Sequence, residues 1–376
     1  MARGTNRPIG VGIVGSRFMA GIHHDSLQRI PDTRVVGVAS PTGDHARRFA
    51  EARGIPHAFS DYRDLVALPE IDLVIVTSTN EGHAGATIAA AQAGKHVIVE
   101  KPLCLNLVEA DAMITACRDA GVKLMYAEEF CFAPKYTRVK EVIGEGAIGR
   151  VFRMNHTEKG RGPANPWYWD LERSGGWSLM QLGSHALGIV RWMLGRRPAT
   201  SVYARLGQHF HRDRGRGDDD AVVIVEFGDD LSAVIDVSWG KLGGMDDRME
   251  IFGTGGVTQA DLYFGSAFRT YSEPGYRYSA PGGGPTSGWT HTVYDELHNN
   301  GFPQEIAHFV ACVRDDLPPQ ETGEDGRAVI EIIMAAYESA RTGRKVPLPF
   351  HTDARLPIDL WWPAGAAAPG GAADGR

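Results

Sequence analysis

The chain has 376 residues, 43% of them hydrophobic and 23% charged, which is the composition of a folded protein with room for two domains and excludes disorder over most of its length. A formal net charge of −7 and a pI near 6.1 lack the basic face that nucleic acid or an anionic membrane requires, and no apolar run approaches the ~20 residues of a membrane helix, so the expected partner is a small molecule, with no nucleic acid and no membrane. Cys104, Cys117, Cys131 and Cys312 lack CxxC spacing and no secretory leader pattern opens the chain, which points to a reduced, cytoplasmic protein.

The first element is the apolar run IGVGIVG, a strand that breaks into a glycine turn. A GxGxxG pattern falls on Gly10, Gly12 and Gly15, but the first two glycines lie inside the strand, and a phosphate-binding fingerprint has to begin where a strand ends and a helix opens. Read from that point, the turn is Gly15, Ser16, Arg17, Phe18, Met19 and Ala20. Gly15 suits a tight turn and Ala20 a close helix–strand contact, while Arg17 stands where the missing side chain of a glycine normally admits a pyrophosphate. Two readings of Arg17 remain open. With negative φ its guanidinium folds over the pyrophosphate as a clamp, or else the side chain fills the phosphate site. The clamp is preferred because the other nucleotide-site features are kept.

The strands TRVVGVAS, LVIVTS, KHVIVEK and VKLMYA follow, separated by helical patterns at 44–53, 82–93 and 107–120. This alternation predicts an α/β, doubly wound parallel sheet over residues 1–126. The second strand ends in Ser40 with no acid before Asp44, so the usual carboxylate for a ribose 2′-hydroxyl is missing and NAD versus NADP stays open. After Gly149 the pattern changes to longer alternating strands (GRVFRMNHTE, TSVYARLGQ, AVVIVEF, LSAVIDVSW, RMEIFGT and AFRTYS), for which antiparallel order is expected. They make a second domain over 127–350, closed by helices at 303–313 and 326–342, with a Gly, Pro and aromatic-rich stretch at 272–301 that is too long for a simple connector. Residues 351–376 form a tail whose Ala/Gly-rich end is expected to be disordered.

The run AGKHVIVEKPL, with Glu100, Lys101 and Pro102, resembles the EKP motif of the glucose-fructose oxidoreductase, inositol dehydrogenase and rhizopine-catabolism (Gfo/Idh/MocA) family. Further likenesses are TSTNEGH from Thr77 to His83, FAPKY from Phe132 to Tyr136, SGGWSLMQLGSHALGIVRWMLG where the family carries GGG…DxGxH, and the C-terminal EDGRAVIEIIMAAYESARTGRKVPLP. The resemblance implies a Rossmann domain followed by an α/β domain with an open, mostly antiparallel sheet. It also implies NAD or NADP as cofactor, hydride transfer at a hydroxyl-bearing carbon of a sugar, sugar derivative or cyclitol, and a homo-oligomer built through the C-terminal sheet.

Residue by residue, Lys101 matches the family lysine and is expected to stabilise alkoxide charge and share a proton relay. His185 matches the histidine of DxGxH, a base suited to neutral pH, and is expected to open a helix at 186–194. The family aspartate falls on Gln181, which orients a hydroxyl but cannot take its proton. The expected cofactor contacts are Gly15, Ser16, Arg17, Phe18, Met19, Ser40, Thr77, Ser78, Thr79, Asn80, His83, Glu100, Lys101 and Glu128. Glu128 and Glu129 follow a strand at the expected crevice, although Cys131 departs from an arginine common in the family. His156, Glu158, Trp167, Trp169, Asp170 and Trp177 make a candidate carbohydrate surface of aromatic faces and hydrogen-bonding groups. The histidines lack HExxH or other short ligand spacing, so no metal site is expected. Two other functions fit the departures at Arg17 and Gln181: a redox-neutral epimerase or lyase with tightly held nicotinamide, or a non-catalytic ligand sensor on the same fold.

Overall fold

The computed structural model describes residues 7–263, 267–272, 288–293 and 295–366. Most of the 272–301 stretch, expected to be more than a simple connector, and the last ten residues of the tail, expected to be disordered, lie outside the described residues. Two compact units form: Met1–Cys104 with Val108–Ala133 and Asn300–Arg327, and Leu105–Leu107 with Pro134–Asn299 and Ala328–Arg376. The chain thus returns to its first unit near residue 300, which a single cut at 126 does not represent.

In the first unit six strands lie in the order β3-β2-β1-β4-β5-β6, all parallel. They are β1 (Ile9–Val14), β2 (Thr33–Ala39), β3 (His57–Phe59), β4 (Leu73–Val76), β5 (His96–Glu100) and β6 (Leu124–Ala127). The crossovers are α1 (Phe18–Leu27), α2 (Gly43–Arg53), α3 (Tyr62–Val66), α4 (His83–Gln92) and α5 (Leu107–Asp119). The four residues of β4 and the interior of β5 are buried apolar side chains, as a parallel sheet covered on both faces requires. Gly10 and Gly12 have a packing role. A Cβ on Gly10 would lie 1.8 Å from the Glu70 carbonyl oxygen, and one on Gly12 2.8 Å from Ile71 Cδ1, so these glycines let the segment before β4 close onto β1. The chain order reverses between β1 and β4, which opens a crevice beyond their C-terminal ends.

The second unit holds α6 (Pro134–Gly144), β7 (Val151–Lys159), α7 (Leu171–Ser174), α8 (Ser178–Met193), β8 (Ser201–Gly207), β9 (Asp220–Glu226), β10 (Ser232–Ser238), β11 (Asp246–Gly253) and β12 (Gly256–Asp261). With β15 (Val346–Pro347) these strands make a sheet ordered β12-β11-β7-β10-β9-β8-β15, beside a separate ribbon of β13 (Ala267–Ser272) and β14 (Gly288–Val293). The chain continues through α9 (Glu296–Asn300), α10 (Phe302–Arg314) and α11 (Gly323–Thr342). Every pairing in the large sheet is antiparallel except β7 with β10, which is parallel. Uniform antiparallel order fails there because helix α8 and the β8–β9 hairpin intervene and form a crossover. Ala233, Ile235 and Val237 of β10 are buried beneath α8, while Tyr203, Val222 and Ile224 on the opposite face are partly exposed.

Helix α8 starts at Ser178, so His185 sits in its interior rather than opening a helix at 186. The start signal is remote in sequence. The buried Asp218 carboxylate accepts from Trp177 N (3.2 Å), Leu179 N (2.7 Å) and Ser178 Oγ (2.9 Å), and Tyr337 Oη also donates to it (2.6 Å). It therefore satisfies orphan donors that a local N-cap would otherwise serve. Burial pushes this carboxyl up to about 6 against the four hydrogen bonds, which pull it down. Its contribution to stability falls as pH rises from the unfolded value near 3.8 to about 6, where the folded group ionises too, and then levels off. Asp218→Ala is expected to cost about 2–4 kcal/mol in urea unfolding at neutral pH, because four buried donors lose their acceptor. An unchanged midpoint would show that α8 does not depend on this cap.

Candidate functional site

The first unit gathers the expected cofactor residues at the C-terminal ends of its parallel strands. Gly15 follows β1 with φ +115°, and a Cβ there would meet Thr77 Oγ1 at 2.3 Å and Thr77 O at 2.7 Å, so only glycine fits the turn. Thr77, which follows β4, donates through N (2.7 Å) and Oγ1 (3.0 Å) to Val14 O and fixes that approach. Arg17 is the exposed N-cap of α1 with φ −108°, the negative value on which the clamp reading depends, and no side chain caps this helix end. Ser16 Oγ is buried beside the turn without a hydrogen-bond partner among the described residues, and Phe18 is exposed. A glycine turn, an orphaned hydroxyl and an uncapped helix N-terminus are the fittings for a pyrophosphate, so the residues present fit a dinucleotide.

Ser40 follows β2 and donates from its backbone N to Phe59 O at 3.1 Å. Thr42, Asp44, Arg47 and Ser60 line a surface depression beside it, with Arg47 Nη2 held to Asp44 Oδ1 at 2.6 Å. His83 is buried, its Nδ1 3.0 Å from Pro102 O and its Nε2 3.1 Å from Ser78 O. Two carbonyl acceptors would be satisfied together only by an imidazolium, but burial pushes the His83 pKa down. The neutral ring therefore donates to one carbonyl at a time, and it ties the loop after β4 to the loop after β5. Thr79 precedes a short turn, Asn80–Gly82, in which Asn80 is buried.

Glu100 ends β5. Its Oε1 lies 2.7 Å from Nε2 of the buried His23, and its Oε2 accepts from Lys101 N at 3.2 Å. Lys101 itself is half-buried, followed by a cis bond to Pro102. Glu128 and Glu129, after β6, are buried. The clamp on Glu100 was not legible in advance: His23 and His24 are sequence neighbours, yet His24 turns to Asp25 (3.1 Å) while His23 turns inward.

In the second unit Gln181 and His185 lie one turn apart on α8, both buried. Gln181 Nε2 donates to Ser174 O (3.1 Å) and Gly176 O (3.4 Å), holding the loop that leads into the helix. An aspartate here has no donor for those carbonyls. His156 and Glu158 are buried on β7, where His156 Nε2 faces Asp247 Oδ2 at 3.7 Å. This is not an ion pair: burial pushes His156 down to about 3, and burial pushes Asp247 up to about 8 although Tyr136 Oη donates to it. Trp177 is fully buried. Trp169 packs at ring-centroid distances of 5.0 Å from Trp177, 5.1 Å from Trp239 and 4.8 Å from His211. Trp167 stacks on Tyr168 at 3.8 Å, and the exposed Asp170 caps α7 through Glu172 N at 3.1 Å.

Comparison with known proteins agrees with this layout. Residues 9–128 match the profile of an oxidoreductase family with an NAD-binding Rossmann fold, and residues 136–259 match the GFO/IDH/MocA C-terminal domain. The chain is similar to a myo-inositol 2-dehydrogenase of Thermotoga maritima, 29% identical over 340 residues that span 90% of this chain and 98% of that one. It is also similar to a D-apiose dehydrogenase of Paraburkholderia graminis, 25% identical over 89% of this chain and 88% of that one. The crystal structure of GenD2 from gentamicin A biosynthesis in complex with NAD superposes with a TM-score of 0.86 at 29% identity, covering 93% of this chain and 99% of that one. This protein belongs to the Gfo/Idh/MocA oxidoreductase family. It is an NAD-binding, hydride-transferring oxidoreductase that acts on a CH–OH carbon. Among the described residues no helix is long and apolar enough to cross a membrane.

The end of β2 carries Ser40 in place of an acid, and the nearby Asp44 is paired with Arg47, so repulsion of a 2′-phosphate there is weak. NADH and NADPH are expected to bind within about tenfold of each other, and Ser40→Asp to favour NADH by a further tenfold or so. Fluorescence titration of the two reduced cofactors checks this, and an unchanged ratio in Ser40→Asp would place discrimination elsewhere.

Proposed function

We propose that the substrate is a small polyhydroxylated molecule, a sugar, sugar derivative or cyclitol, oxidised or reduced at one hydroxyl-bearing carbon. The observation that supports this most is Lys101 at the end of β5, anchored by its N–H to a carboxylate that His23 fixes, in a unit whose glycine turn fits a dinucleotide. The inositol and apiose dehydrogenases among the relatives agree with a polyol substrate. When bound, the nicotinamide supplies the hydride acceptor or donor. Lys101 stabilises charge on the substrate oxygen, His185 exchanges its proton, and Gln181 keeps the loop before α8 in place. Half-buried Trp167 and Trp169 offer aromatic faces to sugar C–H surfaces. The open face of the second sheet, with Tyr203, Val222 and Ile224, supports a homo-oligomer built through it. Four buried, unbridged cysteines suit a reducing cytoplasmic compartment.

A panel of aldoses, sugar acids and inositols assayed for NAD(P)H formation is expected to yield at least one substrate. Lys101→Ala should lower its kcat by about 10²–10⁴-fold while the NAD Kd stays within about threefold. Full activity in that variant would remove Lys101 from the chemistry. Gln181→Asp, which restores the family acid, is expected to destabilise the protein by about 2–4 kcal/mol, since two carbonyls lose donors and gain a buried carboxylate as neighbour. A raised thermal midpoint in that variant would show that the amide bonds are dispensable.

A further inference from the structure

Helix α10 buries Glu305 completely inside the first unit, and neither of its carboxyl oxygens has a hydrogen-bond partner among the described residues. The helix packs against α1 and against the short turn Glu129–Phe132. The groups that face Glu305 are Glu100 from β5, Glu129 from that turn and Glu321 from the segment before α11, with His23 of α1 bonded to Glu100 and edge-on to Phe302, three residues before Glu305. All four carboxyl groups are buried, and the buried imidazoles of His23 and His83 both interact with Glu100. Four like charges cannot coexist at such a place, so at least one proton is shared among them. Glu100 spends its oxygens on His23 and on Lys101 N, whereas Glu305, in the first turn of α10, has the helix start to favour a negative charge but, among the described residues, no hydrogen-bond donor. Burial and the neighbouring Glu129, Glu100 and Glu321 charges hold the Glu305 carboxyl well above the usual carboxylate range.

A neutral buried acid without partners costs stability that leucine would not cost, and one of its neighbours, Glu100, accepts from Lys101 N. The two redox states of nicotinamide differ by one positive charge. We propose that Glu305 is the proton-linked acid of the nucleotide-binding unit, holding its proton in the free and NADH-bound protein and releasing it to solvent when the cationic NAD⁺ binds. No covalent bond changes in this step. One proton leaves a carboxyl group for the buffer, and the carboxylate left behind balances the ring's charge. By linkage, affinity for NAD⁺ rises with pH between the carboxyl's values in the two complexes, while affinity for NADH stays level. The protein would thus bind the oxidised cofactor in preference as pH increases. The proposal rests on hydride transfer by this unit with nicotinamide as the redox partner.

The test is binding, not turnover. The ratio of the Kd for NAD⁺ to that for NADH, from titrations between about pH 6 and about pH 9, is expected to fall by about fivefold or more in the wild type. It should be flat in Glu305→Gln, which keeps the shape and removes the proton. Calorimetry of NAD⁺ binding in buffers of different ionisation heat should show proton release in the wild type and none in the variant. The infrared band of a protonated carboxyl in the free protein should disappear in Glu305→Gln. A pH-dependent ratio that persists in the variant, or NAD⁺ binding to wild type without proton release, overturns the proposal. Should the variant fail to fold, the wild-type calorimetry decides alone. Failure of the broader functional reading looks different: neither cofactor binds, or Lys101→Ala leaves turnover intact.

Discussion

The nucleotide-binding unit depends on how closely the backbone after β1 approaches the end of β4. Gly15 N donates to Ala39 O of β2 at 2.8 Å, and Thr77 N donates to Val14 O of β1 at 2.7 Å, so the ends of three strands are stitched at one level. That level is where the sheet order reverses, and the loops after β1 and β4 leave in opposite directions. With a side chain at Gly15, Thr77 would have to retreat and the crevice between the loops would lose its floor. The start of α1 and the buried Ser16 hydroxyl follow directly on this contact.

The second unit solves a similar positioning problem with two adjacent aspartates. Asp218 caps α8, the helix that carries Gln181 and His185. Asp219, its neighbour, turns the other way and accepts from the backbone N–H groups of His209 (2.7 Å), Phe210 (2.7 Å) and His211 (2.8 Å). This fixes the loop whose His211 ring packs against Trp169, and His211 Nε2 lies 3.1 Å from Trp239 O. One dipeptide thus sets both the start of α8 and the aromatic wall. Both carboxylates are fully buried, and both are surrounded by donors, the condition under which burying a carboxylate is tolerable.

Much of the fold was legible because its signals are local. The β-branched runs and the glycine turn mark the parallel sheet, and the shift in strand pattern after Gly149 marks the mixed one. The decoy glycines at 10 and 12 were separable from Gly15 because a strand cannot also be its own turn. The parallel β7–β10 pair escaped because alternation along a strand reports which face is buried and not the direction of its neighbour. The true start of α8 escaped because its cap lies forty residues downstream in Asp218. His185 marked the helix without marking where it begins. The polar interior of β7 was also hidden: His156 and Glu158 read as ligands by residue type, whereas the alternation that buries Met154 buries them as well. Burial of polar side chains is settled by the partners that packing supplies, and Tyr136 and Asp247 are distant in sequence.

The two departures from the family pattern, Arg17 and Gln181, look like losses when each residue is considered alone. In place, each meets a local requirement. Arg17 occupies an extended N-cap position that any L residue adopts, and its side chain projects into solvent rather than into the turn, so the glycine it replaces was not needed for backbone conformation. Gln181 uses its amide to hold the two carbonyls of the loop ahead of α8, a bond that an aspartate cannot make. Gln181 and His185 lie one turn apart on the same face of α8, so the amide at 181 holds the loop ahead of the helix that carries the imidazole. At both positions the side chain present thus satisfies what the local backbone requires, an extended N-cap at 17 and two carbonyl acceptors at 181.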